Sequence, residues 1–228
     1  MKGLLIQLCS LVTIGIYSIT HKSLHCLRST IFLSKFIGLK HNTVTLSQAT
    51  IKSSHITING LHNNIEIHGK LWETGISITG NNNQIRISDN VVLNLTQIII
   101  RGNNCVLSID KNTTFGSAYI VCMGEHNSII IGNECMFAEN IEVWNTDSHP
   151  IFDPHGKLLN PSKPIHIGNH VWCGKHSKIL KGVTIGDNAI IGMQSIVTKD
   201  IFPNTLNVGI PAKVIRENIN WGRHFINK

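Results

Sequence analysis

Aromatic residues make up only 6% of this 228-residue chain, so any core has to be assembled from aliphatic side chains. Charged residues are also few, at 14%, against 42% hydrophobic. That balance excludes a disordered, self-repelling chain and favours a globular one. No dense Lys/Arg block occurs, and no aromatics are interleaved with basic residues, which argues against a nucleic acid partner. The cysteines (Cys9, Cys26, Cys105, Cys122, Cys135 and Cys173) form neither CxxC nor any zinc spacing, so no metal is expected. Several occupy apolar positions and read as small buried hydrophobes, which suits a reducing compartment such as the cytoplasm. The apolar stretch Gly3 to Ile19 has 17 residues, short for a membrane span of about 20. No clear small-residue cleavage site follows it. It reads as a helix that packs on the end of the fold or makes peripheral contact with the inner face of a membrane.

What is abundant is isoleucine, whose branched side chain favours strands. A unit of apolar-x-apolar-x-Gly, four residues, then apolar-x-apolar recurs four times. Ile56-Thr57-Ile58-Asn59-Gly60 leads to Ile65 and Ile67, and Ile76-Ser77-Ile78-Thr79-Gly80 to Ile85 and Ile87. Ile98 to Gly102 leads to Leu107 and Ile109, and Ile120 to Gly124 to Ile129 and Ile131. The copies are 20, 22 and 22 residues apart. Each predicts two short strands joined by a Gly/Asn turn, since those residues reach left-handed backbone angles. One such unit cannot bury its apolar face alone, but a stack of them can.

A tighter repeat follows. Ile167, Cys173, Ile179, Ile185, Ile191 and Val197 lie six residues apart. The next position holds Gly168, Gly174, Leu180, Gly186, Gly192 and Thr198, and the fifth holds Val171, Ser177, Val183, Ala189, Ser195 and Ile201. This predicts an all-β parallel β-helix of triangular section, with one hexad per face and about 18 residues per turn. The aliphatic points inward and the small residue sits near a corner. Residues 146–163, rich in Pro, Gly and polar groups, interrupt the pattern and predict a loop ejected from the coil. The expected organisation is an N-terminal helical segment over 1–42, a β-helix over 43–216 and a short C-terminal tail over 217–228, with a helix from about Val214 capping the core. The formal charge of +7 and a pI near 9.2 fit an anionic partner.

Residues 144–217 resemble the hexapeptide-repeat acetyltransferases, notably the galactoside and maltose enzymes. They look closest to the branch that O-acetylates bacterial capsule and lipopolysaccharide sugars, including capsular sialic acids. The matching text is Asp147-Ser148-His149-Pro150-Ile151, Lys163-Pro164-Ile165-His166-Ile167-Gly168, Val171-Trp172-Cys173-Gly174 and Ile185 to Gly192. It continues through Ser195 to Ile201 and Gly209 to Glu217. The resemblance implies a left-handed coil, a homotrimer with acetyl-CoA in a groove between subunits, and a sugar or glycan acceptor.

It also assigns roles. His149 is the expected general base, taking the proton from a sugar hydroxyl that attacks the thioester; imidazole chemistry suits that task near neutral pH. Asp147 or Asn145 is expected to fix the imidazole tautomer. Trp172, or backbone near it, is expected to bind the acetyl carbonyl as it becomes tetrahedral. Gly174, Lys175, Met193, Thr198 and Lys199 match positions lining the pantetheine and phosphate groove, and Lys213 and Arg216 match basic residues near the adenosine phosphates. Lys175 and Met193 stand where the family has small residues, so the groove is expected to be narrower or reshaped there. Cys173 is inward and expected to be inert, so direct attack in a ternary complex is the expected mechanism.

Three other readings are weighed. A γ-type carbonic anhydrase shares this fold but needs three converging histidines, and the spacings of His166, His170 and His176 do not favour one. A nonenzymatic solenoid leaves the His149 loop unexplained. N-acetylation of an amino sugar is the nearest rival to O-acetylation.

Overall fold

The computed structural model describes residues 16–21 and 23–226, and no helix occurs among them. The chain winds through three faces in turn. In the first coil the strand Leu24–Phe32 bends at Arg28, where φ is 48°, and supplies two faces; Lys35–Ile37 supplies the third. The second coil repeats this with Thr43–Ser47, Thr50–Lys52 and His55–Asn59. Each later coil adds one strand to each face, parallel to the strand before it. Leu24, Val44, Ile65, Ile85, Leu107, Ile129 and Ile165 therefore stack in one inward row on the first face. All seven are buried. Burying an aliphatic side chain of this size contributes roughly 1.5–3 kcal/mol, and rows like this supply most of the driving force for the stack. Phe115 and Phe137 add a stacked aromatic pair, with ring centroids 4.2 Å apart.

The hexad run takes the positions its spacing predicts. Its six aliphatic or thiol residues, Ile167 to Val197, are each 0% exposed. The fifth-position residues, Val171 to Ile201, are all buried at the corners. The looser repeat is a complete turn as well. The two strands read from each copy belong to the third face of one coil and the first face of the next. Between those pairs lie second-face strands, such as Lys70–Trp72 and Val92–Asn94, that alternation alone did not reveal. They are three residues long, too short to show a period.

The corners meet two demands. One is conformational: first-corner residues Asn90, Asn112, Glu134, His170, Asn188 and Asn204 all have φ between 52° and 60°. The other is steric. At the third corner, where one coil passes to the next, an added Cβ on Gly60, Gly80 or Gly102 would sit 1.8–1.9 Å from the carbonyl oxygen of the glycine in the following coil. The same corner carries a buried amide ladder. Asn42 Oδ1 accepts from the Asn63 backbone and side chain, Asn63 Oδ1 from those of Asn83, and Asn83 Oδ1 from the Cys105 N–H at 2.9 Å.

Two expectations about the ends need correction. The helical segment expected over 1–42 is β-structure from Ile16 onward. Ile16–His21 pairs antiparallel with Leu24–Phe32, and Leu24, Cys26 and Phe36 already point into the core. The period-2 burial there outweighs the apolar stretch that suggested a helix. Residues 1–15, which carry most of that stretch, lie outside the described residues. The tail is not a capping helix either. Lys213–Glu217 is a strand antiparallel to Thr205–Val208, and this hairpin covers the last coil. The added strand pairs with backbone N–H and C=O groups of the edge that would otherwise stay open.

Asn83→Ala removes acceptors and donors inside the amide ladder and leaves the Cys105 N–H and Gly102 carbonyl without partners. The expected loss is at least about 2 kcal/mol, since each stranded buried group costs about 1–3 kcal/mol. Asn81→Ala, on the exposed rung at the same corner, is expected to lose under about 1 kcal/mol. Denaturant melts of the two variants check the difference.

Candidate active site

The parallel ladder of the first face runs from Ile129 directly to Ile165, so residues 146–163 leave the coil at the third corner without breaking the stack. The root of this loop is fixed by Asn145, which is fully buried. Its Oδ1 accepts the Met123 N–H at 2.7 Å and its Nδ2 donates to the Met123 carbonyl at 3.0 Å. Its own carbonyl accepts from Lys163 N–H at 2.9 Å, closing the loop on itself. Farther out, Asn160 staples the two arms. Its Oδ1 accepts the Ile151 N–H at 2.6 Å, and its Nδ2 donates to Asp147 Oδ2 and to the His149 carbonyl, both at 2.9 Å. Lys181, from the next coil, donates to Asp147 Oδ2 at 2.5 Å and to the Asn160 carbonyl at 3.1 Å. Lys181, with Asn160 beside it, holds the Asp147 carboxyl below its ordinary range.

His149 sits on this stapled segment, exposed, just after Ser148 with its φ of 65°. Its backbone is pinned at both ends: the N–H donates to the Asp147 carbonyl at 2.8 Å and the carbonyl accepts from Asn160. The ring is not oriented as expected. The Asn145 amide bonds Met123, and Asp147 Oδ2 accepts from Lys181 and Asn160. Neither bonds the imidazole, because both serve the loop that carries it.

Trp172 is half-buried on the second face, in register with Met136 and Ile190. In a three-faced coil that face lies opposite the third corner, where His149 emerges. One chain therefore does not bring the two together.

The remaining expected site residues fall into three groups. Gly174, Lys175 and Met193 share the second corner. An added Cβ on Gly174 would lie 2.7 Å from the Met193 nitrogen, so that position must be bare. Lys175 is paired with Glu139 at 2.5 Å and draws the Glu139 carboxyl below its usual range. Met193 stands out from the surface, 65% exposed. Along the third face beside this corner runs a shallow groove of about 410 Å³, flanked by Tyr119, Glu142, His176 and Lys178. Thr198 and Lys199 are exposed at the third corner. Lys213 and Arg216 project from the terminal hairpin, opposite Val208 and Leu206. Cys173 is fully buried and burial pushes its thiol well up; burial likewise pushes Cys135 up to about 11. Neither holds a thiolate at neutral pH. His166 points outward from the first face, while His170 and His176 occupy the first and second corners, so the three do not converge.

Sequence reasoning missed Asn160 and Lys181, which hold the loop, and Trp221, whose ring lies 5.9 Å from that of Trp172. Nothing marks Asn160 or Trp221 in the sequence. Lys181 is the third residue of the hexad that begins at Ile179 and could have been flagged only by knowing which coil lies beside the loop.

The family described as bacterial transferase hexapeptide (six repeats) matches residues 164–199. The polysialic acid O-acetyltransferase of Neisseria meningitidis is 36% identical over 188 residues, 80% of this chain and 86% of that protein. The galactoside O-acetyltransferase of Escherichia coli (strain K12) is 43% identical over 104 residues, 44% of this chain; the chain spans 50% of its length. Among solved structures, a polysialic acid O-acetyltransferase superposes with a TM-score of 0.78 at 34% identity, covering 85% of this chain and 92% of that one. A second, described as a polysialic-acid-specific acetyltransferase, gives 0.61 at 33% identity, with 75% and 90% covered. The fold, the ejected loop and these likenesses agree: the chain belongs to the hexapeptide-repeat acetyltransferases.

Proposed function

We propose that this chain transfers an acetyl group from acetyl-CoA to a hydroxyl of an anionic bacterial surface glycan, such as a sialic-acid-containing capsular polysaccharide. The observation that carries the reading is the loop. An otherwise regular stack ejects one segment, and an amide and an ion pair hold its single exposed Ser-His-Pro turn in place. Similarity to polysialic acid O-acetyltransferases over most of the chain supports the acceptor class, and the +7 formal charge suits a polyanion.

The chemistry is a direct acyl transfer. A sugar hydroxyl attacks the thioester carbonyl while the His149 imidazole takes its proton. The carbonyl electrons move onto oxygen, where the Trp172 indole N–H or nearby backbone donors stabilise the charge. Collapse expels the CoA thiolate, which recovers the proton from the imidazolium. No thiol nucleophile is needed, in keeping with the buried Cys173.

Because His149 and Trp172 occupy opposite parts of the prism, a site that uses both takes one from each of two copies. That supports the homotrimer of left-handed coils that family resemblance implies. In such an assembly Gly174 lets the next coil approach at the second corner, and Lys213 and Arg216 offer cations to the adenosine phosphates. Lys175 and Met193 fit less well, the first paired with Glu139 and the second protruding. The same reading places the enzyme in the cytoplasm, where acetyl-CoA is available.

His149→Ala is expected to lower acetyl transfer, followed as free thiol with a polysialic acid acceptor, by about 10²–10⁴. Trimers should persist in sedimentation; full activity in this variant sinks the assignment. Asn160→Ala is expected to reduce kcat by about tenfold and to speed hydrogen exchange at the Ile151 amide, with little change in Tm. The Asp147 staple has its own pH signature. Its carboxyl is held below the ordinary value, so its contribution is complete above about pH 4 and is lost only as pH falls through the depressed value. Lys181→Met should therefore lower the plateau of the pH–rate profile without moving an acid limb between pH 5 and 7. A shifted limb would mean that the staple and the base titrate together.

A further inference from the structure

Residues 219–223 do not trail away from the coil. They run as an extended strap along the first corner, across the left-handed backbone residues of successive coils. The Ile219 N–H donates to the Asn204 carbonyl at 3.1 Å, and the Ile219 carbonyl accepts from Asn188 Nδ2 at 2.9 Å. Two residues on, Trp221 lies flat on His170, with centroids 4.2 Å apart and planes 7° from parallel, and its Nε1 donates to the His170 carbonyl at 2.8 Å. Two residues further, Arg223 donates to the carbonyls of Asn112, Glu134 and Cys135 at 2.7–3.0 Å and to Thr114 Oγ1 at 2.9 Å. Alternate residues of an extended chain thus contact the stack, as period-2 geometry requires. Charge-assisted bonds from one guanidinium to three carbonyls make Arg223 a firm anchor.

The strap has an uneven effect. Of the first-corner residues Asn112, Glu134, His170, Asn188 and Asn204, only His170 carries a ring, and that is where the tryptophan lands. Held by a stack, an N–H bond and an anchored backbone, the Trp221 ring tilts 43° against Trp172 at 5.9 Å. Trp172's ladder neighbours on that face are Met136 and Ile190.

We infer that Trp221 is a positioning residue, which fixes the rotamer of Trp172 and so aims its indole at the reacting carbonyl. This rests on the reading of Trp172 as an active-site residue. The role differs from stabilising the fold, because the coils beneath the strap are already paired strand to strand.

The test uses the full chain labelled with 5-fluorotryptophan, its Trp172 resonance assigned from Trp172→Phe. Trp221→Ala is expected to shift that resonance and to lower kcat by about tenfold. KM for acetyl-CoA and Tm should change little. Trp221→Phe, which keeps a ring on His170, should retain most of kcat. Arg223→Met, which frees the anchor, should move both readouts in the direction of Trp221→Ala, and it serves if the alanine variant folds poorly. An unmoved Trp172 resonance with full kcat in Trp221→Ala overturns the inference, as does a kcat loss that merely tracks Tm across the three variants. Full kcat in Trp172→Phe instead overturns the reading of Trp172. An impaired Trp172→Phe beside a fully active Trp221→Ala overturns the positioning role alone.

Discussion

The backbone of a single coil cannot satisfy itself. Its N–H and C=O groups lie along the stack axis, so each coil is completed only by the coils above and below, in parallel pairs that hold one register from Leu24 to Ile165. The other features of the molecule follow from that constraint. Like positions stack on like positions, which is why inward sites are mostly aliphatic and why first-corner residues share one backbone conformation. Where a corner buries polar groups, the same stacking turns isolated amides into a ladder, as in Asn42, Asn63 and Asn83. Chain can be inserted only where it leaves and rejoins the stack at one corner, as residues 146–163 do between the paired strands Ser128–Ile131 and Ile165–Ile167.

The same constraint governs the ends and the chemistry. An open stack exposes strand edges, and here the hairpin of Thr205–Val208 with Lys213–Glu217 covers the last coil. The strap that follows caps outward carbonyls of the first corner through the Ile219 N–H and Arg223. Rigidity of the stack also separates functional groups. His149 and Trp172 belong to adjacent coils, yet one leaves at the third corner and the other lies on the second face.

Much of this was legible in the sequence, for definite reasons. A hexad in which Ile167, Cys173, Ile179, Ile185, Ile191 and Val197 recur has one geometric solution, because a residue buried every sixth position fixes both face length and corner. The break at 146–163 was equally plain, since Pro and polar residues cannot continue such a face. The second-face strands were not legible, because three residues carry no period. The first coil was hidden by an apolar stretch beside it that reads equally well as helix. Around the loop, the Ser-His-Pro setting of His149 was visible in the sequence, whereas the partners of Asn145 and Asp147, Met123 and Lys181, lie in other coils.

The sequence by itself determined the periodic part of this protein: a three-faced aliphatic coil, its small or left-handed corners, and the point where a loop must leave. Those are properties of repeating neighbours, and a repeat is visible in one dimension. Only the tertiary structure decided what contacts what across coils. It gave Asp147 to Lys181, Asn145 to Met123 and Trp221 to His170 and Trp172. Those partners are 22 to 51 residues apart, and each contact depends on which coil lies next to which, on a loop length that adds no period, and on a tail that could have gone elsewhere.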